Sequence, residues 1–271
     1  MSVFKWGFVG AGMIAKKALY PAISKSSVGE IYAVASRDAD RAMTISPKGL
    51  IYTDYDQMFA DPAVEGVYIS LPNAFHLPVA IKAMKAGKHV LCEKPLGMNA
   101  AEVKEAIEVS EKMGVLFVEA SWNRWHPRTQ RVHEIVRSGK LGAIKRIRTA
   151  FTYSGLDDAN IRLDPTIGGG ILYDLGPYST VAPLWLLDFP KVENLSVQTV
   201  FHEGGVDETT RVNYRLGNTV CETVASCNIP DSSWFIVEGE KGSVRMGGMN
   251  AFNSHNALSD LEIEIGGVTT I

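Results

Sequence analysis

Val9-Gly10-Ala11-Gly12-Met13-Ile14-Ala15, directly after the apolar run that starts at Phe4, decides how the first half of this chain is read. Two glycines one residue apart, at the end of a strand pattern and the start of a helical one, are the context in which G-x-G-x-x-G/A is informative. Gly10 permits the tight turn, Gly12 lets a pyrophosphate approach the backbone, and Ala15 allows close helix-to-strand packing. Met13 and Ile14 begin the helix, whose free N–H groups and positive dipole end would face the phosphates. An ordinary glycine-rich turn with no ligand would look the same locally. The placement after a strand favours a dinucleotide.

Further short apolar runs, at Ile31 to Ala35, Val67 to Leu71, His89 to Cys92 and Val115 to Glu119, read as buried parallel strands. Between the last two lies a helix at Asn99 to Met113, with Asn99 as cap, Glu102 three residues on and Gly114 as its stop. Val103, Ala106, Ile107 and Met113 mark its expected buried side. Such alternation implies right-handed βαβ crossovers, so residues 1–120 are expected to form a Rossmann domain, an α/β doubly wound parallel sheet. The stretch from Arg37 to Tyr52 is short for a full crossover helix, and Pro47 and Gly49 interrupt it.

Beyond residue 120 the texture changes. A helix near Thr129 to Ser138 precedes strand-like runs at Ile144 to Tyr153, Leu195 to His202, Thr209 to Leu216, Thr219 to Cys227, Trp234 to Glu238, Ser243 to Met246 and Leu261 to Ile265. Turn residues punctuate them, and an apolar helix-like segment, Ile171 to Leu187, is inserted. Residues 121–271 are therefore expected to form an α+β domain around a mostly antiparallel open sheet. Val212, Tyr214 and Leu216 alternate on one strand and suggest an apolar open face through which copies of the chain associate, as a dimer or tetramer.

The end of the second strand bears on cofactor choice, since NAD-binding folds usually place an acid there for the ribose hydroxyls. Here it runs Ser36-Arg37-Asp38. A guanidinium suits a 2′-phosphate, so NADP(H) is favoured over NAD(H), with Asp38 on the ribose as the alternative.

Composition narrows the field. The 271 residues are 46% hydrophobic with a net charge of −3, which leaves room for two cores and offers no basic surface for nucleic acid or anionic lipid. No apolar run approaches membrane-spanning length. Three cysteines are an odd number for a disulfide framework, and Cys221 and Cys227 on one strand would stand about 20 Å apart. Reduced thiols and a cytoplasmic location are expected. The six histidines, His255 among them, show no metal-ligand spacing, so no metal site is indicated.

Four stretches in order, the glycine turn, Leu71-Pro72-Asn73-Ala74-Phe75-His76, Cys92-Glu93-Lys94-Pro95, and Gly168-Gly169-Gly170-Ile171-Leu172-Tyr173-Asp174-Leu175-Gly176-Pro177-Tyr178, resemble the Gfo/Idh/MocA oxidoreductase family. Val237 to Val244 is a weaker match. The resemblance implies that Leu71, Asn73 and His76 border the nicotinamide and its ribose, that Glu93 contacts that ribose, and that Lys94 sits by the reacting carbon. It also implies Asp174 as the active-site carboxylate and Tyr178 as the proton-transfer residue. Tyrosine at that position, with Ser36-Arg37, is similar to the NADP-using dihydrodiol dehydrogenase and glucose–fructose oxidoreductase branches. The substrate would be a sugar, polyol or dihydrodiol. Family members usually run several tens of residues past the equivalent of Ile271. Either the protein is a short member or part of the substrate pocket lies outside this sequence.

Chemistry points the same way. Hydride transfer at carbon requires a proton to leave or join the oxygen, and a phenol needs a nearby cation, for which Lys94 is available, to act as a base near neutrality. Asp174 and Tyr178 would share a helix face, although Gly176-Pro177 is expected to kink it. Arg124, just after the fifth strand, is a candidate substrate contact; an interdomain ion pair is its bland alternative. A non-catalytic dinucleotide sensor remains the competing reading, for which Lys94, Asp174 and Tyr178 would be superfluous.

Overall fold

Strands buried on both faces send alternate side chains into two separate cores. The computed structural model describes residues 2–46, 50–247, 251–252 and 260–270; Pro47, Gly49 and His255 lie outside the described residues. The chain divides into two units, Met1–Ala120 and Ser121–Ile271. In the first, six parallel strands, β1 (Phe4–Val9), β2 (Gly29–Ala35), β3 (Ile51–Tyr52), β4 (Gly66–Ile69), β5 (His89–Cys92) and β6 (Phe117–Glu119), take the order β3-β2-β1-β4-β5-β6. Phe8 and Tyr68 meet edge-on at 5.2 Å on one face, with Ile31, Val34 and Ile23. Val9, Val67 and Ile69 pack on the other against Met58, Phe59, Leu77 and Met84. This is the doubly wound order, reversing between β1 and β4.

Helices α1 (Tyr20–Ser24), α2 (Ala39–Met43), α3 (Tyr55–Ala60), α4 (His76–Lys85) and α5 (Ala100–Met113) cover the sheet. The helix after the glycine turn is widened at Ala15–Leu19 into π winding before α1. β3 and α2 are too short for periodicity to reveal them. At α5 the Asn99 side chain accepts from Glu102 N at 3.1 Å, and Gly114 closes the helix in the left-handed region at φ 66°. Of its expected buried side, Ala106 and Val103 are in place against the core, whereas Ile107 and Met113 are 43% and 39% exposed. Ala106 and Ser110, four apart and small, make the close approach instead.

The second unit begins with α6 (Trp122–Trp125), α7 (Pro127–Arg137) and β7 (Ile144–Thr152). Helices α8 (Ile171–Ser179) and α9 (Ala182–Leu186) follow, then β8 (Val192–Phe201), β9 (Asp207–Leu216), β10 (Thr219–Ser226), β11 (Ser232–Gly239), β12 (Gly242–Met246), β13 (Glu262–Ile265) and β14 (Val268–Thr270). The sheet order is β14-β13-β12-β11-β7-β10-β9-β8, antiparallel except for the β7–β10 pair. Ile147, Val212, Tyr214, Leu216, Phe235 and Val237 meet Ile135, Tyr178 and Leu186 of the helices in one core. Each fully buried aliphatic or phenyl group there contributes about 1.5–3 kcal/mol.

That core corrects the expected association face. Val212, Tyr214 and Leu216 point inward under the helices, and Tyr214 donates its hydroxyl to Thr180 O at 2.7 Å. The other face carries ion pairs, Arg146 with Glu222 at 2.6 Å and Arg148 with Glu238 at 2.9 Å. Pro177 does not split the segment between Asp174 and Tyr178, which lie on α8 together. The break comes later, between α8 and α9.

Cys92, Cys221 and Cys227 are free and buried. Burial pushes all three thiols up, Cys221 to about 12.

Asn99→Ala should lower stability by about 1 kcal/mol, because it removes the capping oxygen, whereas Asn99→Gly should lose only a few tenths. Denaturant unfolding of the three proteins checks this; equal loss in both variants would assign the effect to something other than the cap.

Candidate active site

A parallel sheet gathers the carboxyl ends of its strands along one edge, and the candidate cofactor residues of the first unit all stand there. Gly10 follows β1 at φ 89°, with its N–H on Ala35 O at 2.9 Å; a Cβ would come within 3.0 Å of Ser70 O. Above Gly12 a Cβ would meet only Ser70 O at 3.5 Å, so the backbone is open to close approach. Met13 and Ile14 are exposed beside it. These features fit a pyrophosphate against the turn.

At the end of β2, Ser36 is buried and Arg37 exposed. The Asp38 carboxylate accepts from Arg41 N at 3.0 Å as the cap of α2, which commits one of its oxygens to the fold. Arg37 makes no ion pair among the described residues, and its charge reaches the Tyr55 phenol, where burial raises the pKa and Arg37 opposes it.

After β4, Leu71 and Asn73 are half-buried, while the His76 ring is buried. Its Nδ1 lies 2.7 Å from Pro95 O and its Nε2 2.7 Å from Leu71 O. Burial lowers the imidazole pKa, the two carbonyls work against that, and Lys94 and Glu119 act in opposite senses. His76 thus ties the loop after β4 to the loop after β5. On that second loop Glu93 accepts from the Tyr68 hydroxyl at 2.6 Å and from Lys94 N at 3.3 Å, and the Lys94–Pro95 peptide is cis. Lys94 is half-buried.

In the second unit, three glycines let the chain lie flat on its own backbone. Gly169 N donates to Asp164 O at 2.9 Å and Gly170 N to Arg162 O at 2.8 Å; a Cβ on Gly169 would stand 2.6 Å from Asp164 O. Gly170, at φ 127°, has no side chain to cap α8, and Asp207 of β9 does so by accepting from Leu172 N at 2.9 Å. This brings Arg162 to Asp174, Nε to Oδ2 at 2.6 Å, and the Tyr153 hydroxyl donates to the same oxygen at 3.1 Å. Burial first, then Asp174, push the Tyr153 pKa far up, so it remains an O–H donor. One turn on, the Tyr178 oxygen accepts from Trp122 Nε1 at 3.0 Å, and its ring packs on Phe151 and Phe252.

Arg162, Tyr153, Trp122 and Tyr68 escape sequence reasoning as site residues, because strands and loops distant in the chain bring them in. Arg124, the candidate substrate contact, places its guanidinium 5.5 Å from the Trp185 ring and 5.9 Å from Phe189. Its charge is engaged by aromatic faces within its own unit.

Comparison with known proteins matches residues 4–121 to an oxidoreductase family described as an NAD-binding Rossmann fold, and residues 129–245 to the GFO/IDH/MocA C-terminal domain. The trans-1,2-dihydrobenzene-1,2-diol dehydrogenase of Mus musculus is 34% identical over 253 residues, covering 89% of this chain and 74% of that one. The D-xylose 1-dehydrogenase (NADP(+)) 2 of Haloferax volcanii is 34% identical over 258 residues, covering 92% and 76%. The matched stretch takes in 55% of the length of an oxidoreductase from Rhizobium meliloti and 76% of the Haloferax volcanii enzyme. A 3-ketoreductase from Actinomadura kijaniata, solved with NADP and TDP-benzene, shares the fold with a TM-score of 0.91 at 23% identity, over 99% of this chain and 83% of that one. Because one family accounts for both halves of the sequence and a relative of 34% identity follows it through most of its length, the chain belongs to the Gfo/Idh/MocA oxidoreductases.

Proposed function

We propose that the chain is an NADP(H)-dependent oxidoreductase acting on a carbon that bears a hydroxyl or carbonyl oxygen in a sugar, polyol or dihydrodiol. The observation that carries this reading is Tyr178, a buried phenol whose oxygen is held by Trp122 one helical turn from the Arg162–Asp174 pair. A pure dinucleotide sensor has no use for an oriented proton donor and acceptor in its second unit. The names of the dihydrodiol and xylose dehydrogenase relatives support the substrate class and, for the second, the phosphorylated cofactor.

A nicotinamide dinucleotide held by its pyrophosphate at the glycine turn would supply or take the hydride. The protein's own task is the proton. Tyr178 oxygen takes it from the substrate hydroxyl in oxidation and returns it to the forming hydroxyl in reduction. Asp174 accepts from both Arg162 and Tyr153 on one carboxylate oxygen, so its role is to orient polar groups. Lys94, on the loop after β5, is the second residue assigned to the reaction, as a cation that favours phenolate. The same family supports self-association. With Val212, Tyr214 and Leu216 buried, that part of the reading now rests on exposed Leu195, Val197, Val200 and Phe201 of the edge strand β8.

NADPH should bind more tightly than NADH in fluorescence titration. Arg37→Ala should erase most of that preference with little change for NADH; equal affinities in the unaltered protein would defeat the cofactor assignment.

Tyr178→Phe should leave NADPH binding intact and lower turnover by about 10²–10⁴-fold, the usual contribution of general acid–base catalysis. Lys94→Ala should slow turnover too, and Lys94→Arg separates charge from shape. If Tyr178→Phe stays within about twofold while Asp174→Asn abolishes activity, the proton route runs elsewhere.

Light scattering at micromolar concentration should return a multiple of the chain mass, and Val197→Lys with Phe201→Lys should reduce it. A monomeric mass for the unaltered protein would remove self-association from the proposal.

A further inference from the structure

Three groups from separate elements converge on α8. Arg162 comes from the 3-10 turn Ile161–Leu163, Tyr153 from just past β7, and Trp122 from the start of α6. Arg162 and Tyr153 both donate to Asp174 Oδ2, and Trp122 donates to the Tyr178 oxygen. An indole N–H is a donor only. The Tyr178 oxygen is therefore an acceptor on that side, and its own proton is directed away from Trp122.

Tyr178 is 8% exposed, and a buried phenolate is disfavoured unless donors or a cation stand beside it. The Arg162 side chain is 32% exposed, against 15% for that of its partner Asp174, and its charge acts on the Tyr178 phenol as well as on the carboxylate. Burial works to lower the Arg162 pKa, and Asp174, Tyr153 and Tyr178 together more than reverse it.

The other titratable groups around α8 differ in kind. Tyr214 and Cys221 on the strands, and Tyr153 and Cys227 just past strand ends, have their pKa values raised, by burial first, and stay neutral. Asp207 is occupied at the helix N-terminus with Leu172 N and Thr210. From the side of α7, His126 lies edge-on to Trp122, and Arg128 donates to Ala251 O, next to Phe252; burial lowers the pKa of both.

We propose that Arg162 and Trp122 are positioning residues for Tyr178: the indole directs its hydroxyl, and the guanidinium, anchored by Asp174, keeps a cation beside the phenol so that its oxygen can lose and regain a proton inside a buried site. The inference rests on Tyr178 as the proton-transfer residue. In oxidation the Tyr178 phenolate takes the proton as the substrate O–H bond breaks and the phenol O–H bond forms, while the C–H bond would break with its electron pair passing as hydride to bound NADP⁺ and the C=O bond forming; reduction reverses each change. The Arg162–Asp174 pair makes a distinctive prediction, because its two charges act on the phenol in opposite senses. Removing Arg162 alone takes away the favourable cation and exposes Tyr178 to an unbalanced anion. Removing both charges takes away both influences.

The test is pH titration of the tyrosinate ultraviolet band, each background being measured with and without Tyr178→Phe so that the difference isolates Tyr178. Arg162→Gln should raise the ionisation of Tyr178 by roughly one pH unit or more, the effect of losing a neighbouring opposite charge. Arg162→Gln combined with Asp174→Asn should raise it by less. Trp122→Phe, which keeps an aromatic ring and changes no charge, should raise it as well and serves if Arg162→Gln does not fold. The alkaline limb of oxidative kcat should move in the same order, with NADPH affinity unchanged. The proposal is overturned if the Tyr178 ionisation stays put in both Arg162→Gln and Trp122→Phe, or if the double variant shifts as far as Arg162→Gln alone. The titration needs no substrate, so it judges the tuning even where Tyr178→Phe retains turnover and the catalytic reading fails.

Discussion

A parallel sheet must deliver the carboxyl end of every strand to the same edge, and that directional constraint organises the first unit. Gly10 after β1, Ser36 and Arg37 after β2, Leu71 after β4 and Glu93 after β5 are far apart in sequence and adjacent for this reason alone. The edge is then stiffened by contacts between its own loops. His76 binds a carbonyl from each of two loops, Tyr68 fixes Glu93 from inside the sheet, and Ser70 lies against Gly10. Loops so braced can hold a flat, polar ligand without first being ordered by it, which spares binding an entropic penalty.

The second unit meets a different constraint. A carboxylate placed near a hydrophobic core must be paired and hydrogen-bonded or it will take up a proton. Asp174 is satisfied by Arg162 and Tyr153; Tyr153 arrives just past β7, whereas the Arg162 segment lies against backbone that only glycine allows, since Gly169 leaves no room for a Cβ. The surface ion pairs on the far side of the sheet, Arg146 with Glu222 and Arg148 with Glu238, are partly exposed and contribute little stability each. The Arg162–Asp174 pair differs because it is more deeply buried and shares its helix with Tyr178.

Much of this was legible in the residues. The glycine turn, the strands β1 and β5 and both caps of α5 follow from local rules of backbone conformation and hydrogen bonding, and local rules are what a sequence displays. The inward face of β9 was visible as alternation at Val212, Tyr214 and Leu216, but alternation cannot say which side the helices cover, and it was assigned to the wrong one. Pro177 was expected to kink α8. The helix is not ended by it: α8 continues to Ser179, with Thr180 N bonded to Gly176 O at 2.8 Å across the proline. Arg162, Tyr153 and Trp122 were illegible as site residues because their roles exist only through tertiary contacts with Asp174 and Tyr178.

The three buried thiols give the two units separate internal reporters. Cys92 belongs to the parallel sheet, while Cys221 and Cys227 lie on and just beyond β10 in the other unit. A thiol reacts as thiolate, and burial suppresses that form at all three positions, so an alkylating reagent reaches each sulfur only when the surrounding structure opens. The rate at which each cysteine acquires a label therefore measures how often its own unit breathes, and a ligand that quiets one half of the molecule leaves its signature in the labelling of that half.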